Sequence, residues 1–143
     1  MTIATDFDGT IVEHRYPEIG AEIPFATETL RMLINDRHKL ILWSVREGKL
    51  LDEAIEWCRE RGVEFYAVNR DYPEESVEGN NHFSRKVKAD IFIDDRNIGG
   101  LPDWGTIYQM IKYGKSFEDV MRERLGHVPE YDRPRKKHWW QIG

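Results

Sequence analysis

Residues Thr2–Ile11 read T-I-A-T-D-F-D-G-T-I. Thr2–Phe7 is a short β-prone run that ends among two carboxylates, Asp6 and Asp8, and Gly9 then breaks it. This order predicts a strand that delivers acids at its carboxyl end. Two further runs repeat the pattern. Lys39–Ser44 holds Leu40, Ile41, Leu42 and Trp43, an apolar stretch of the kind buried on both faces of a parallel sheet, and it closes on Ser44. Ala89–Asp94 holds Ile91, Phe92 and Ile93 and closes on Asp94 and Asp95.

The segments between these runs have helical spacing. Pro24 suits the first turn of a helix, where its missing N–H costs nothing, and Phe25, Leu30, Leu33 and Ile34 follow near helical period until Asn35, Asp36 and Arg37 close it. Leu51, Ala54, Ile55 and Cys58 mark an amphipathic helix over Lys49–Arg61, stopped by Gly62. Val63–Val68 reads as a further strand. Gly9–Glu22 and Asn69–Ser84 read as loops. Ser116 and Asp119 form a capping-box pattern that opens a helix running to Leu125. Strands alternating with helices predict an α/β fold with a parallel central sheet and helices on both faces. Ligands of such sheets sit at the carboxyl ends of the strands, where Asp6, Asp8, Ser44, Asp94 and Asp95 fall.

Composition narrows the class. The chain has 143 residues, which suits one domain. Its 40% hydrophobic content excludes a disordered polymer, and no run approaches the ~18 apolar residues of a membrane span. No signal peptide precedes Asp6, and the single Cys58 excludes an internal disulfide, so a soluble cytoplasmic protein is expected. A net charge of −5 disfavours a nucleic-acid binder that works by bulk positive charge. The exception is the C-terminal stretch, where Arg133, Arg135, Lys136 and Lys137 outnumber Glu130 and Asp132 beside Trp139 and Trp140. The reading is a body over residues 1–125 and a basic, Trp-containing extension over 126–143.

Carboxylates gathered at neighbouring strand ends repel one another, and a divalent cation relieves that repulsion. Oxygen ligands with a solvated position suit Mg²⁺, which binds through a few carboxylates together with phosphate. Ser44 adds a hydroxyl, and Arg85, Lys86 and Lys88 bring positive charge just before the third acidic strand. Taken alone, each part has an ordinary explanation: Asp-x-Asp-Gly is common in turns, Ser44 suits a cap of the following turn, and the lysines suit a solvated surface. The conjunction at strand ends points to phosphoryl transfer, in which one group attacks, one handles the proton and the rest neutralise charge. Cys58 lies on the apolar helix face and reads as core; Trp104 reads as packing. His14, Arg15 and Tyr16 fall in the first loop, within reach of a substrate or simply solvated. Arg46 suits a second anionic group of the substrate, or a pair with Glu47 or Asp95.

These motifs resemble the haloacid dehalogenase superfamily. Asp6-Phe-Asp-Gly-Thr-Ile11 is similar to its first motif, Leu42-Trp-Ser44 to its second, Lys86 to the lysine of its third, and Ile91-Phe-Ile-Asp94-Asp95 to its fourth, in the same order over residues 2–97. The resemblance implies a three-layer Rossmann-like fold and an Mg²⁺-dependent phosphatase. It makes Asp6 the nucleophile that forms an aspartyl-phosphate, and Asp8 the acid and base. Ser44 and Lys86 bind the phosphoryl group, with Lys88 the runner-up lysine. Asp6, the Asp8 carbonyl and Asp94 hold the metal with Asp95. Neither Gly9–Glu22 nor the stretch between Ser44 and Lys86 has room for a cap domain, so the resemblance is to small capless hydrolases. Their open sites admit bulky phosphorylated substrates, small or macromolecular, or borrow a lid from a second copy of the chain. Alternatives are a phosphotransferase of the same superfamily, a protein that processes nucleic-acid ends through its basic tail, and a phospho-aspartate receiver. The motif order disfavours the receiver.

Overall fold

A computed structural model describes residues 1–70 and 87–126. It divides between Gly105 and Thr106 into two compact units; the extension expected from residue 126 onward lies almost wholly outside the described residues. The first unit contains β1 (Thr2–Thr5), α1 (Ala26–Asn35), β2 (Lys39–Leu42), α2 (Gly48–Glu60), β3 (Ala67–Val68) and β4 (Ile91–Ile93). The four strands form one sheet in the order β3-β2-β1-β4, and every pairing is parallel. The expected α/β class with a parallel sheet is therefore observed.

The register fixes what the strands carry. Ala4 lies between Ile41 and Phe92, and Thr5 between Leu42 and Ile93. Beyond the last pair, the Asp6 N–H donates to the Ile93 carbonyl (3.0 Å) and the Trp43 N–H to the Thr5 carbonyl (2.9 Å). Asp6 thus begins where β1 ends, still tied to β4. One face of the sheet gathers Ala4, Ile41, Ala67 and Val87, with Trp43, Ala89 and Phe92 packed against them. Ile3 and Thr5 on the alternate positions are also fully buried, as are Leu40 and Leu42. Burial on both faces explains why β1 and β2 read as continuous runs.

Several boundaries differ from expectation for local reasons. Pro24 lies ahead of α1, because Phe25 takes a left-handed conformation (φ 67°) before the helix opens at Ala26. The strand expected over Val63–Val68 shrinks to Ala67–Val68: only those residues pair with Ile41 and Leu42, at the edge of the sheet. Arg37 (φ 69°) ends the first helical segment, and Gly62 (φ 81°) follows α2 as predicted. Phe7, beyond β1, meets the Trp57 ring of α2 edge-on at 5.7 Å between centroids. Cys58 is fully buried, and burial raises its thiol to about 12, which fits a core residue rather than a reactive one. The Gly9–Glu22 loop is bridged twice, Asp8 with Val12 and Val12 with Glu22.

Helix α3 (Trp104–Tyr113) begins at the end of the first unit, and α4 (Phe117–Arg124) lies in the second. The Ser116 capping box is present in full: the Asp119 N–H donates to the Ser116 hydroxyl at 3.0 Å, and the Ser116 N–H to the Asp119 carboxylate at 3.2 Å. Among the described residues, no helix is long and apolar enough to cross a membrane. Lys86 and the C-terminal extension from residue 127 lie outside the described residues, as does most of the second loop.

Candidate metal centre and its acidic partner

The strand order locates the site. From β1 the chain moves outward through β2 to β3, and then returns to place β4 on the other flank of β1. The order therefore reverses between β1 and β4, and the crevice at such a switch point is where open α/β sheets bind ligands. The two strands flanking it end in Asp6 on one side and Asp94–Asp95 on the other.

Carboxylate oxygens of Asp6, Asp94 and Asp95 lie within 4.8 Å of one another, each partly exposed. Oxygens around a small hard cation sit at about 2.1 Å from it, so neighbours in its shell are roughly 3–4 Å apart. The three groups fit a divalent ion after small side-chain adjustments. Their electrostatics point the same way. Asp6 is raised from 3.8 to about 6, first by burial and then by the charges of Asp94, Asp95 and Asp8, against a lowering contribution from the Phe7 backbone hydrogen bond. A bound cation would oppose each of the raising causes.

Loop residues fix Asp95. The Asp95 N–H donates to the Thr10 hydroxyl (3.1 Å), and that hydroxyl donates to Asp95 Oδ1 (3.2 Å). Thr10 is itself fully buried, and its carbonyl accepts from the indole N–H of fully buried Trp104 at 3.0 Å. Gly9 is needed beside it. It has φ 83°, and a Cβ there would overlap the Asp95 carboxylate, with Cγ only 2.9 Å away. Gly9→Ala is expected to displace Asp95 and to weaken divalent-cation affinity about tenfold or more, as loss of a ligand's supporting partners does. Titrating cation against thermal stability checks this; an unchanged affinity would show that Asp95 does not contribute to the centre.

Asp8 faces another way. Its carboxylate is nearly buried and paired at two points with Arg46: Nε to Oδ2 and Nη2 to Oδ1, both 2.7 Å. The Asp8 side chain is thus outside the three-carboxylate cluster. Arg46 is fully buried, which corrects the expectation that it binds a second anionic group; its partner is neither Glu47 nor Asp95. The guanidinium is held above its ordinary pKa chiefly by the hydrogen bonds to Asp8. Ser44 is half-buried, with its N–H on Asn69 Oδ1 (2.8 Å) and its hydroxyl accepting from the Arg46 N–H (3.1 Å). That bond is the local turn expected as the ordinary role of Ser44, and it leaves the hydroxyl proton free to donate. Lys88 lies before β4, at the amino end of the strand, whereas the acids lie at its carboxyl end.

The sequence matches no protein-family model and no curated protein. A solved structure, that of a conserved protein from Bacteroides thetaiotaomicron, is 72% identical, with 84% of this chain and 96% of that one covered and a TM-score of 0.77. The two chains belong to one family. Kinship at this level carries the fold across the family, and the chemistry of this member rests on the residues described above. The acids, Ser44 and Arg46 are legible in the sequence, but two supporting residues, Thr10 and Asn69, are not, and neither is the partner of Arg46. Thr10 stood inside the first motif with no role assigned. Asn69 (φ 53°) occupies the left-handed conformation that Asn tolerates, and nothing in its neighbours announces a bond to Ser44. Arg46 was singled out with the wrong partner.

Proposed function

We propose that the chain is a divalent-cation-dependent phosphomonoester hydrolase of the haloacid dehalogenase type, capless, with a three-layer Rossmann-like fold, Mg²⁺ as its cofactor and Asp6 as its nucleophile. The observation that supports this reading best is the convergence of Asp6, Asp94 and Asp95 at the switch point of a parallel sheet, with Asp8 two residues beyond Asp6. Asp6, Asp94 and Asp95 would hold the cation. When bound, it supplies positive charge that keeps Asp6 ionised and offsets the charge of the phosphoryl group.

In the first step the ester enters as its monoanion, an Asp6 carboxylate oxygen forms a bond to phosphorus while the ester P–O bond breaks, and the proton of the ester passes by way of Asp8 to the departing oxygen. In the second, Asp8 takes a proton from water as the water oxygen bonds to phosphorus and the Asp6–phosphorus bond breaks, and it passes that proton to the departing phosphate. Water and ester are converted to alcohol and inorganic phosphate, and both aspartates return to their starting states. Ser44 donates its hydroxyl proton to a phosphoryl oxygen. Lys86 would be the cation on the phosphoryl group, as the motif resemblance implies.

The test is hydrolysis of p-nitrophenyl phosphate with Mg²⁺ and with EDTA. Turnover that requires Mg²⁺, with a phospho-enzyme mimic trapped by beryllium fluoride, is expected. Full turnover in EDTA would overturn the assignment.

A further inference from the structure

The surroundings of Arg46 are unusually complete. Its five N–H donors all have acceptors: two on Asp8 at 2.7 Å, with Nη2 also on the Glu18 carbonyl (2.9 Å) and Nη1 on the carbonyls of Pro17 (3.2 Å) and Leu50 (3.4 Å). The guanidinium carbon lies 5.2 Å from the ring centroid of Phe7 and 5.2 Å from that of Tyr16. One side chain thus joins the residues after β1, the first loop, the first turn of α2 and, through its backbone N–H, Ser44.

A buried ion pair is a poor way to gain stability. Desolvating both charges costs about what their attraction returns, and an apolar pair of the same shape serves as well. What a two-point fork adds is orientation. It fixes the plane of the carboxylate and takes one lone-pair direction on each oxygen, leaving one on each for proton transfer. No donor of Arg46 remains for a substrate.

We infer that Arg46 is a positioning residue: it holds the Asp8 carboxylate in the one orientation that serves proton transfer, and ties the Tyr16–Glu18 stretch to that carboxylate. This rests on the reading of Asp8 as the proton carrier. The inference makes a distinction that a general structural role would not. An aryl phosphate with a stable leaving anion hardly needs the proton from Asp8, whereas an alkyl phosphate does. Disturbing the orientation of Asp8 therefore slows the second far more than the first.

The test uses the full chain with Mg²⁺ and the variant Arg46→Lys, which keeps the charge but cannot form the fork. Arg46→Ala is the obvious change but leaves a buried carboxylate unpaired, so it is useful only if its melt is cooperative. For Arg46→Lys, kcat/KM on glycerol phosphate is expected to fall on the order of 10²-fold, as for lost acid–base catalysis, and on p-nitrophenyl phosphate by less than about 5-fold. Equal losses on both esters would make the pair merely structural and overturn the inference. A rise in KM with kcat unchanged would make Arg46 a substrate-binding group and overturn it too. If the unmodified chain hydrolyses neither ester, the phosphatase reading fails and the inference with it. Activity in the unmodified chain with equal losses in the variant removes the inference alone.

Discussion

Asp6→Asn is expected to abolish phosphate-ester hydrolysis and, in metal-free buffer at neutral pH, to raise the melting temperature. The first effect follows from the proposed role: an amide cannot form the acyl-phosphate bond, so kcat falls to background and the phospho-enzyme mimic disappears. The second follows from linkage. Asp6 is raised from 3.8 to about 6 in the folded chain. Below the lower value both states carry the proton and folding is not penalised. Between the two the unfolded chain ionises first, and above about 6 the cost of holding a partly buried charge beside Asp94, Asp95 and Asp8 is complete. Allowing for solvent screening of a partly exposed group, that cost is about 1–2 kcal/mol, and its removal is worth several degrees. Wild type without metal should therefore lose stability as the pH rises from 4 to 7, and the asparagine variant should lose less. Added Mg²⁺ should stabilise wild type and leave the variant nearly unmoved. Melting curves with and without EDTA at pH 4, 6 and 7.5 measure both. Full activity in the variant would remove Asp6 from the chemistry, and a lower melting temperature would mean that its carboxylate is not under strain.

A larger stability effect is expected at the Arg46–Asp8 pair. Removing the guanidinium strands a carboxylate that is only 8% exposed, so Arg46→Ala should destabilise by about 3–5 kcal/mol. That is a large share of the stability of an ordinary domain, and urea denaturation near room temperature should show a much lower midpoint. The double change Arg46→Met with Asp8→Asn removes both charges and should recover most of the loss, because no unpaired ion remains. Arg46→Met alone, Asp8→Asn alone and the double close a thermodynamic cycle, in which a coupling above about 2 kcal/mol is expected for groups in direct contact. Additive losses, or an Arg46→Ala cost below about 1 kcal/mol, would show that water reaches Asp8 freely.

The features visible in the sequence were those set by short-range pattern. Apolar runs closing on Asp6, on Ser44 and on Asp94–Asp95 announced three parallel strands, because β1 and β2, buried on both faces, and the apolar Ile91–Ile93 have no polar alternation to obscure them. The helix face of Leu51, Ala54, Ile55 and Cys58 and the Ser116–Asp119 box were equally local. Helix α3 was not anticipated, although Trp104, Ile107, Tyr108 and Ile111 have the right period; Gly105 and Thr106 in its first turn are weak helix formers and hid it. The fork between Arg46 and Asp8 spans 38 positions, and several acids competed for the same cation on paper. Thr10 and Asn69 act through backbone and carboxylate contacts closed only by the fold, so their composition-level signal is that of any turn residue.

The parallel pairing of β1 has a consequence for how the protein tolerates change. Three of its four residues, Ile3, Ala4 and Thr5, are paired on both sides, with Ile3 opposite Leu40 and Ile91. Side chains alternate along a strand, and Asp6 shares the parity of Ala4. Exchanging Ile3 for another branched residue would leave that count intact. Gaining or losing one residue anywhere in β1 would turn Asp6 to the opposite face of the sheet, that of Ile3 and Thr5, and present a neighbour to the cation instead. The position of the nucleophile is stored as a length, so this stretch accepts spelling changes but not insertions or deletions.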